Sequence, residues 1–276
     1  EMSASLVGSE MCIRDRSLPF VGEIPLKTDA GKNKSTHTNK SIVIKQGSRD
    51  IINEAFRVLR TNLEFMLDAK IENKASVTLF TSFNPGSGKT FLTMNTAATF
   101  AMKGKRILVI DGDLRRGSAS AYLGSQHKGL SDYLGKRESC LDALVQENPD
   151  IPGFFLLPAG TIPPNPTELL AEPLFKETIE QLRGHYDYIL IDCPPIDIVA
   201  DTQIIEKLAD RTVFVVRAGL LERDMLSELQ RMYDEKRFKN MALLLNGTEG
   251  GGNRYGYRYG YKYGYKYGYG SKNYYK

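Results

Sequence analysis

A glycine-rich loop carries the clearest chemical signal in the chain. It lies between an apolar run, SVTLFTS (76–82), and a helical pattern that begins near residue 89. Backbone N–H groups of such a loop and the helix N-terminus face phosphate oxygens, a lysine reaches the terminal phosphates, and the next hydroxyl binds Mg²⁺. Phe83 stands where a first glycine is usual, but strand, loop and helix in register disfavour an incidental turn. The predicted nucleotide-binding residues are Asn84, Pro85, Gly86, Ser87, Gly88, Lys89 and Thr90.

Two further apolar runs end in carboxylates. Asp111 and Asp113 follow ILVI, and Asp192 closes YILID (188–192). Ligands of open α/β sheets bind at the carboxyl ends of the strands, so these side chains could hold Mg²⁺ or accept a proton from an attacking hydroxyl. Each motif alone is weak, because Asp-Gly-Asp is more often a solvated turn and many buried strands end in Asp. Their order behind one phosphate loop makes the set a strong signal.

The elements that must position these residues alternate along the chain. The runs FFLLP (154–158), TVFVV (212–216) and MALLLN (241–246) lack the period-two alternation of a half-exposed strand, as a sheet buried on both faces requires. Strand–helix alternation predicts an α/β fold with a doubly wound, mainly parallel sheet. We expect a P-loop NTPase domain over 49–249, a lead-in segment with a flexible loop over 17–48, and a disordered tyrosine-rich tail over 250–276.

Composition agrees with a globular domain, at 41% hydrophobic and 25% charged residues. The net charge of +4 includes six basic and no acidic residues from Gly250 onward, which leaves −2 for the rest. Cys12, Cys140 and Cys193 show no ligand spacing, which favours a reducing compartment, and we expect Cys193 to be buried. No apolar run approaches the roughly 18 residues of a membrane span.

The first residues have a different origin in our interpretation. EMCIRDR (10–16) resembles the translation of a transposon end used in preparing sequencing libraries. We therefore expect residues 1–16 to be a sequencing artefact and exclude them from fold reasoning. The natural protein is then expected to extend further upstream.

Three charged residues mark a helix predicted from Ser48 to about Lys70, with Ser48 or Asp50 as its cap. Glu54, Arg57 and Arg60 recur every third residue and so share one helix face. From spacing alone, the plain interpretation is a solvated stripe of ion pairs worth a few tenths of a kcal/mol.

Together these motifs resemble those of the bacterial tyrosine kinases, the family that governs capsule and exopolysaccharide export. The phosphate loop, DGDLR (111–115) and LIDCPP (190–195) look like its Walker A, A′ and B motifs. The E-x-x-R-x-x-R helix, PAGTIPPNPTELL (158–170), LPFVGEIP (18–25) and the terminal tyrosine cluster also match. The resemblance covers nearly the whole chain from Leu18.

The resemblance implies an ATP- and Mg²⁺-dependent protein-tyrosine kinase. Lys89 would bind phosphate, Asp111 would be the general base toward a tyrosine hydroxyl, and Arg115 would support the phosphates. Asp113 and Asp192 would position the metal and its waters. The implied metal-site residues are Thr90, Asp111, Asp113 and Asp192.

The resemblance also implies partners. The helix with Glu54, Arg57 and Arg60 would dock on a neighbouring subunit and close a homo-oligomeric ring, an octamer in the family. A membrane polysaccharide co-polymerase domain, fused or separate, and an opposing tyrosine phosphatase are expected. We favour fusion, because LPFVGEIP resembles the post-membrane junction of fused members. The location would be cytoplasmic, at the inner face of the membrane.

The tail alternates tyrosine with glycine, arginine and lysine. It could be a low-complexity segment without a role, a nucleic-acid-binding tail with stacking rings and cations, or a cluster of phosphoacceptors. A flexible coil of about 27 residues spans roughly 30 Å, enough to reach a neighbour's site in a ring. We favour phosphoacceptors and expect no nucleic acid. The acceptors are Tyr255, Tyr257, Tyr259, Tyr261, Tyr263, Tyr265, Tyr267, Tyr269, Tyr274 and Tyr275.

The tail's charge suggests a switch. Each phosphate adds about −1.5 to −2, so about three or four would cancel the tail's +6. We predict that autophosphorylation in trans loosens the oligomer. The main rival is a P-loop ATPase of the plasmid-partitioning or septum-positioning type, which carries a signature lysine where this chain has Asn84 and lacks a tyrosine tail. A nucleic-acid-binding protein acting through the tail is the second rival.

Overall fold

Strands and helices alternate along the chain as the apolar runs predict. The computed structural model describes residues 7, 17–26, 42–67, 74–122, 124, 128–196 and 200–248. Its strands are β1 (Phe20–Pro25), β2 (Ser76–Thr81), β3 (Ile107–Asp111), β4 (Gln146–Glu147), β5 (Phe154–Leu157), β6 (Tyr188–Asp192), β7 (Arg211–Arg217) and β8 (Ala242–Thr248). Its helices are α1 (Ile51–Leu67), α2 (Lys89–Ala101), α3 (Leu130–Leu134), α4 (Pro166–Ala171), α5 (Pro173–Leu182), α6 (Asp201–Glu206) and α7 (Met225–Asp234).

The eight strands form one sheet in the order β1-β8-β7-β2-β6-β3-β5-β4. The described strand pairs are parallel except β4 with β5. The predicted doubly wound, mainly parallel α/β fold is confirmed. In the register of β3 with β6, Asp111 pairs directly with Asp192, so two of the predicted site carboxylates leave the sheet side by side.

Helices cover both faces of the sheet, and successive strand residues face opposite helices. In β7, Val213 packs in the cluster that contains α1 and α2, whereas Phe214 packs in the cluster with α7. Leu79 and Phe80 of β2 divide in the same way between the α5 side and the α2 side. Apolar side chains are therefore buried on both faces, which explains the unbroken apolar runs.

Helix α1 begins directly after Asp50, one of the two predicted N-caps. The Asn53 N–H donates to Oδ1 of Asp50 at 2.9 Å, and the Glu54 N–H donates to the Asp50 carbonyl at 3.0 Å. Asp50 is therefore the N-cap, since its side chain satisfies an N–H that the helix leaves unpaired. Phe56 and Leu59 are buried on the face that packs against β1.

The lead-in segment differs from its prediction, because we assigned no strand to residues 17–48. Residues 20–25 form β1, which pairs in parallel with β8 at the sheet edge. A run with an internal glycine and a final proline lacks a strand pattern, and proline is tolerated only at such edges. Further on, buried Asn95 and Asn53 accept the N–H groups of Val43 and Lys45 at 2.8 and 2.9 Å. The polar stretch KTDAGKNKSTHTNK (27–40), within which we expected the flexible loop, lies outside the described residues.

The predictions for residues 1–16 and for the tyrosine-rich tail fall mostly outside the described residues. Of residues 1–16, only Val7 is described: it is buried, its N–H donates to the Leu221 carbonyl at 2.8 Å, and its carbonyl accepts the Gly219 N–H at 2.7 Å. The tail from residue 249 onward is not among the described residues. Within the described part of the chain, no helix combines the length and the apolarity that a bilayer crossing demands.

Candidate active site

The glycine-rich loop joins the end of β2 to the start of α2, as predicted. Gly86 and Gly88 adopt φ angles of 77° and 89°, a left-handed conformation that favours glycine. The hydroxyls of Ser82 and Ser87 both donate to the Asn84 carbonyl at 2.8 Å and so fold the loop on itself. The loop therefore delivers its last residues to the N-terminus of α2, where free N–H groups favour an anion.

Lys89 is buried inside the site. Only 8% of it is exposed, and Nζ donates to Oγ of Ser82 at 3.2 Å. Burial lowers the pKa of the Lys89 ammonium, whereas Asp192 and Asp113 oppose this by favouring its charge. The ammonium group thus lies in a carboxylate-lined cavity, in a position suited to phosphate oxygens.

Asp192 is tied to the phosphate loop. The Thr90 hydroxyl donates to Oδ2 of Asp192 at 2.6 Å. Burial raises the pKa of Asp192 to about 7, although the Thr90 hydrogen bond and the charge of Lys89 pull it down. The other oxygen, Oδ1, is buried and has no hydrogen-bond partner. A buried oxygen of this kind is a ready acceptor for a metal-bound water.

Asp111 and Asp113 play different structural parts. Asp111 is fully buried, and its Oδ2 accepts the Ala119 N–H at 3.0 Å and both the N–H and hydroxyl of Ser120 at 3.1 Å. Burial, reinforced by Asp192, raises the pKa of Asp111 to about 8. Asp113 lines the cavity instead, and burial raises its pKa against the opposing N–H groups of Arg115 and Arg116. Asp111 thus orders the following turn, while Asp113 faces the ligand space.

Arg116 lines the cavity, and Arg115, the arginine that was predicted to do so, does not. Arg115, predicted to support the phosphates, donates from Nε to Oδ2 of fully buried Asp201 at 3.0 Å and from Nη2 to the Thr167 hydroxyl at 2.9 Å. Successive residues of a turn point in different directions, so the motif DGDLRR could not show which guanidinium enters the site.

The cavity measures about 520 Å³ and extends beyond the phosphate loop. One wall is apolar, and the ends of β7 and β8 add Arg217 and Asn246. Sequence reasoning missed Arg116, Arg217 and Asn246. Arg217 directly follows the run TVFVV (212–216) and Asn246 is the last residue of MALLLN (241–246), so their place toward the carboxyl end of the sheet was the available signal. The apolar wall comprises Pro25, Leu26, Val43, Ile52 and Phe91.

The donor set suits Mg²⁺ that arrives with a nucleotide. Among the described residues, no three Asp, Glu, His or Cys side chains are grouped as metal ligands. Mg²⁺ commonly uses one or two protein groups together with waters and substrate phosphates. The Thr90 hydroxyl and the unpartnered Oδ1 of Asp192 fit that mode. The predicted four-residue metal site stays a prediction.

The charged stripe of α1 is only partly solvated. Glu54 and Arg57 form an ion pair near the surface, and Arg57 also donates to the Ser48 carbonyl at 2.5 Å. Arg60 turns toward α2, where it donates to the Thr99 carbonyl at 3.3 Å. Glu54 is therefore the exposed member of the predicted interface, whereas Arg57 and Arg60 are both partly buried. Cys193 is buried as expected, and the predicted phosphoacceptors lie outside the described residues.

The chain is similar in sequence to known proteins. The AAA domain family matches residues 76–237. The tyrosine-protein kinase YwqD of Bacillus subtilis is 32% identical over 219 residues, which cover 79% of this chain and 90% of that protein. The tyrosine-protein kinase Etk of Escherichia coli K12 is 32% identical over 225 residues, 80% of this chain but only 30% of that protein. The chain thus spans most of one relative and less than a third of the other.

Solved structures of tyrosine kinase domains superpose on this chain. The kinase domain of the Escherichia coli tyrosine kinase ETK superposes with a TM-score of 0.76 at 27% identity, covering 95% of this chain and all of that one. The BceF tyrosine kinase domain gives 0.74 at 32% identity, covering 88% and 99%. The septum-site protein MinD of Pyrococcus horikoshii, solved with Mg-ADP, gives 0.50 at 22% identity over 61% of this chain and 68% of that one, which shows a shared fold alone.

Proposed function

The chain belongs to the family of bacterial tyrosine kinases, and we propose that it transfers the terminal phosphate of ATP to tyrosine hydroxyls of its own C-terminal tail. The hydrogen bond between Thr90 and Asp192 carries this proposal. It joins the phosphate loop to the carboxylate of β6 inside the cavity that also holds Lys89. Phosphoryl transfer uses a lysine and a hydroxyl at the N-terminus of a helix with a carboxylate beside them, and Lys89, Thr90 and Asp192 supply these groups.

The chemistry depends on positioning and charge. Lys89 and the N–H groups of the loop would hold the phosphate oxygens, and Arg116, which also lines the cavity, would add a second cation. Mg²⁺, when bound, would neutralise charge that develops on the phosphates. Thr90 and Asp192 would hold it, with Asp113 orienting its waters.

The proton of the acceptor tyrosine needs a destination. We assign it to Asp111, because its raised pKa of about 8 makes the carboxylate, in its deprotonated form, a stronger base than an ordinary carboxylate. Its burial under Ala119 and Ser120 adds a condition, since the 117–120 turn must open for a hydroxyl to reach it. The base role is thereby coupled to a movement of this turn.

The acceptor is proposed to come from another subunit. Tyrosines alternate with glycine and basic residues along the tail, and a coil of about 27 residues would be long enough to reach a neighbour. Exposed Glu54 and partly buried Arg57 on α1 offer a polar surface for contact between subunits of a ring. Regulation of capsule or exopolysaccharide export at the inner face of the membrane, with a co-polymerase domain and an opposing phosphatase as partners, completes the proposal.

Phosphotyrosine mass spectrometry tests it. The purified chain is incubated with ATP and Mg²⁺ beside Lys89→Met, which removes the buried cation. Tail phosphates in the wild-type chain alone support the proposal. Mixing Lys89→Met with an active chain that lacks residues 254–276 tests transfer in trans, because only the inactive subunit then carries acceptors. ATP hydrolysis without any tyrosine phosphate would instead point to an ATPase.

A further inference from the structure

A buried asparagine on β8 touches the phosphate loop from outside the motif. Asn246 is 7% exposed, and its Nδ2 donates to the Ser87 carbonyl at 2.8 Å across 159 residues of sequence. Arg217, at the end of neighbouring β7, donates to the Gly86 carbonyl at 3.0 Å. Two successive carbonyls of the loop are therefore held by side chains of adjacent strands.

Holding these carbonyls also orients the loop's N–H groups. The C=O and N–H of one planar trans peptide unit point in opposite directions. The Ser87 carbonyl faces Asn246, so the N–H of Gly88 is turned away from β8. The Gly86 carbonyl faces Arg217 and fixes the N–H of Ser87 in the same manner. Preorganised N–H groups bind phosphate without a further ordering cost.

Asn246 also explains why residue 88 is a glycine. A Cβ atom built on Gly88 would overlap Nδ2 of Asn246, and the φ of +89° adds strain for any side chain. Gly86 is similarly strained at φ +77°, but no atom lies within 4 Å of a Cβ built there. Gly88 is thus required twice, once by its backbone angle and once by the close approach of Asn246.

We propose that Asn246 is a positioning residue for phosphate binding: its amide holds the Ser87 carbonyl and so presents the Gly88 N–H to the nucleotide phosphates. The inference rests on the nucleotide site of the proposed function and not on tyrosine as the acceptor. It is therefore tested by ligand binding, so a chain that binds ADP but phosphorylates nothing would defeat the kinase proposal alone.

Isothermal titration with ADP and with inorganic pyrophosphate separates loop positioning from a contact with the base. Asn246→Ala is expected to weaken binding of both ligands by about 3- to 10-fold, the effect of one hydrogen bond. Unchanged binding of both, or weakening for ADP alone, overturns the proposal. Thermal unfolding without ligand shows whether the variant folds. If it does not, Asn246→Ser, whose hydroxyl is too short to span to the Ser87 carbonyl, replaces it in every comparison.

A double-mutant cycle with a matched control tests the contact itself. Gly88→Ala is expected to cost about tenfold or more in affinity for ADP, through strain and overlap together. In the Asn246→Ala background the overlap is gone, so the same change should cost several-fold less. Gly86→Ala carries comparable strain without the contact, and its cost should be equal in both backgrounds. Equal costs of Gly88→Ala in both backgrounds would overturn the proposal.

Discussion

The Thr90 hydroxyl lies 2.6 Å from Oδ2 of Asp192, joining the first turn of α2 to the end of β6. These residues are 102 positions apart, and the bond leaves the second carboxylate oxygen buried without a partner. A hydroxyl and a carboxylate fixed in this way form a partial coordination site that phosphate oxygens and waters can complete.

Thr90→Ala should therefore weaken the use of Mg²⁺ more than the binding of nucleotide. We expect roughly 10- to 100-fold more Mg²⁺ to be needed for half-maximal phosphorylation, as when a supporting ligand is lost. Affinity for ADP without Mg²⁺ should change little. Thr99→Ala is the control, since its hydroxyl bonds the Asn95 carbonyl farther along the same helix. An unaltered Mg²⁺ requirement in Thr90→Ala would contradict the assignment.

Asp111→Asn tests the proposed role of Asp111 as the general base. It should lower kcat by about 10²-fold or more, because a neutral amide cannot take the tyrosine proton. The affinity for ADP should be nearly unaffected, since Asp111 does not line the cavity. Asp113→Asn, which alters a cavity residue, should change the Mg²⁺ requirement as well as kcat. If Asp111→Asn keeps its kcat, Asp111 only orders the 117–120 turn.

Substitution of Arg115 should affect the stability of the fold, whereas substitution of Arg116 should affect nucleotide binding. Arg115→Ala leaves buried Asp201 with the Thr167 hydroxyl alone, so it should lower the free energy of unfolding by about 1–3 kcal/mol. Its KM for ATP should stay close to that of the wild type. Arg116→Ala should raise the KM and leave unfolding unchanged. Urea denaturation and initial rates decide between these outcomes, and the reverse pattern would refute the placement of both side chains.

The cap of α1 predicts a pH-dependent stability. Burial alone would raise the pKa of Asp50, but hydrogen bonds from Ser48 and Asn53 hold it at about 2, below the ordinary 3.8. A depressed pKa contributes stability above the ordinary value and loses it as the pH falls toward 2. Asp50→Ala should thus cost about 1 kcal/mol at neutral pH, with the difference narrowing below pH 4. Asp224→Ala is the matched control, because Asp224 precedes α7 without a side-chain cap bond.

The charge of the tail predicts a change of assembly. More than about four phosphates would reverse its +6 charge, and a tail that had been drawn to acidic surfaces near the site would then be repelled. Size-exclusion chromatography after incubation with ATP and Mg²⁺ should show a smaller species for the wild type, whereas Lys89→Met should keep the larger one. The same elution volume for both would rule out this switch.

Local signals in the sequence were sufficient for much of the fold. The six predicted apolar runs all became strands, because a sheet covered by helices on both faces requires unbroken apolar runs. A cap at Ser48 or Asp50 and the loop from Asn84 to Thr90 were also predictable, since capping and phosphate-loop conformations depend on residues close in sequence. Strand β1 was missed, because its pairing with β8 depends on residues more than 200 positions away.

By itself, the sequence determined which residue types meet at the carboxyl edge of the sheet: a lysine, a hydroxyl and several carboxylates behind one phosphate loop. Only the tertiary structure decided how each is used. It buried Asp111, turned Arg115 to Asp201, brought Arg116 into the cavity and placed Asn246 against Ser87. The physical reason is that side-chain direction and burial depend on contacts between segments far apart in sequence, which no local pattern contains.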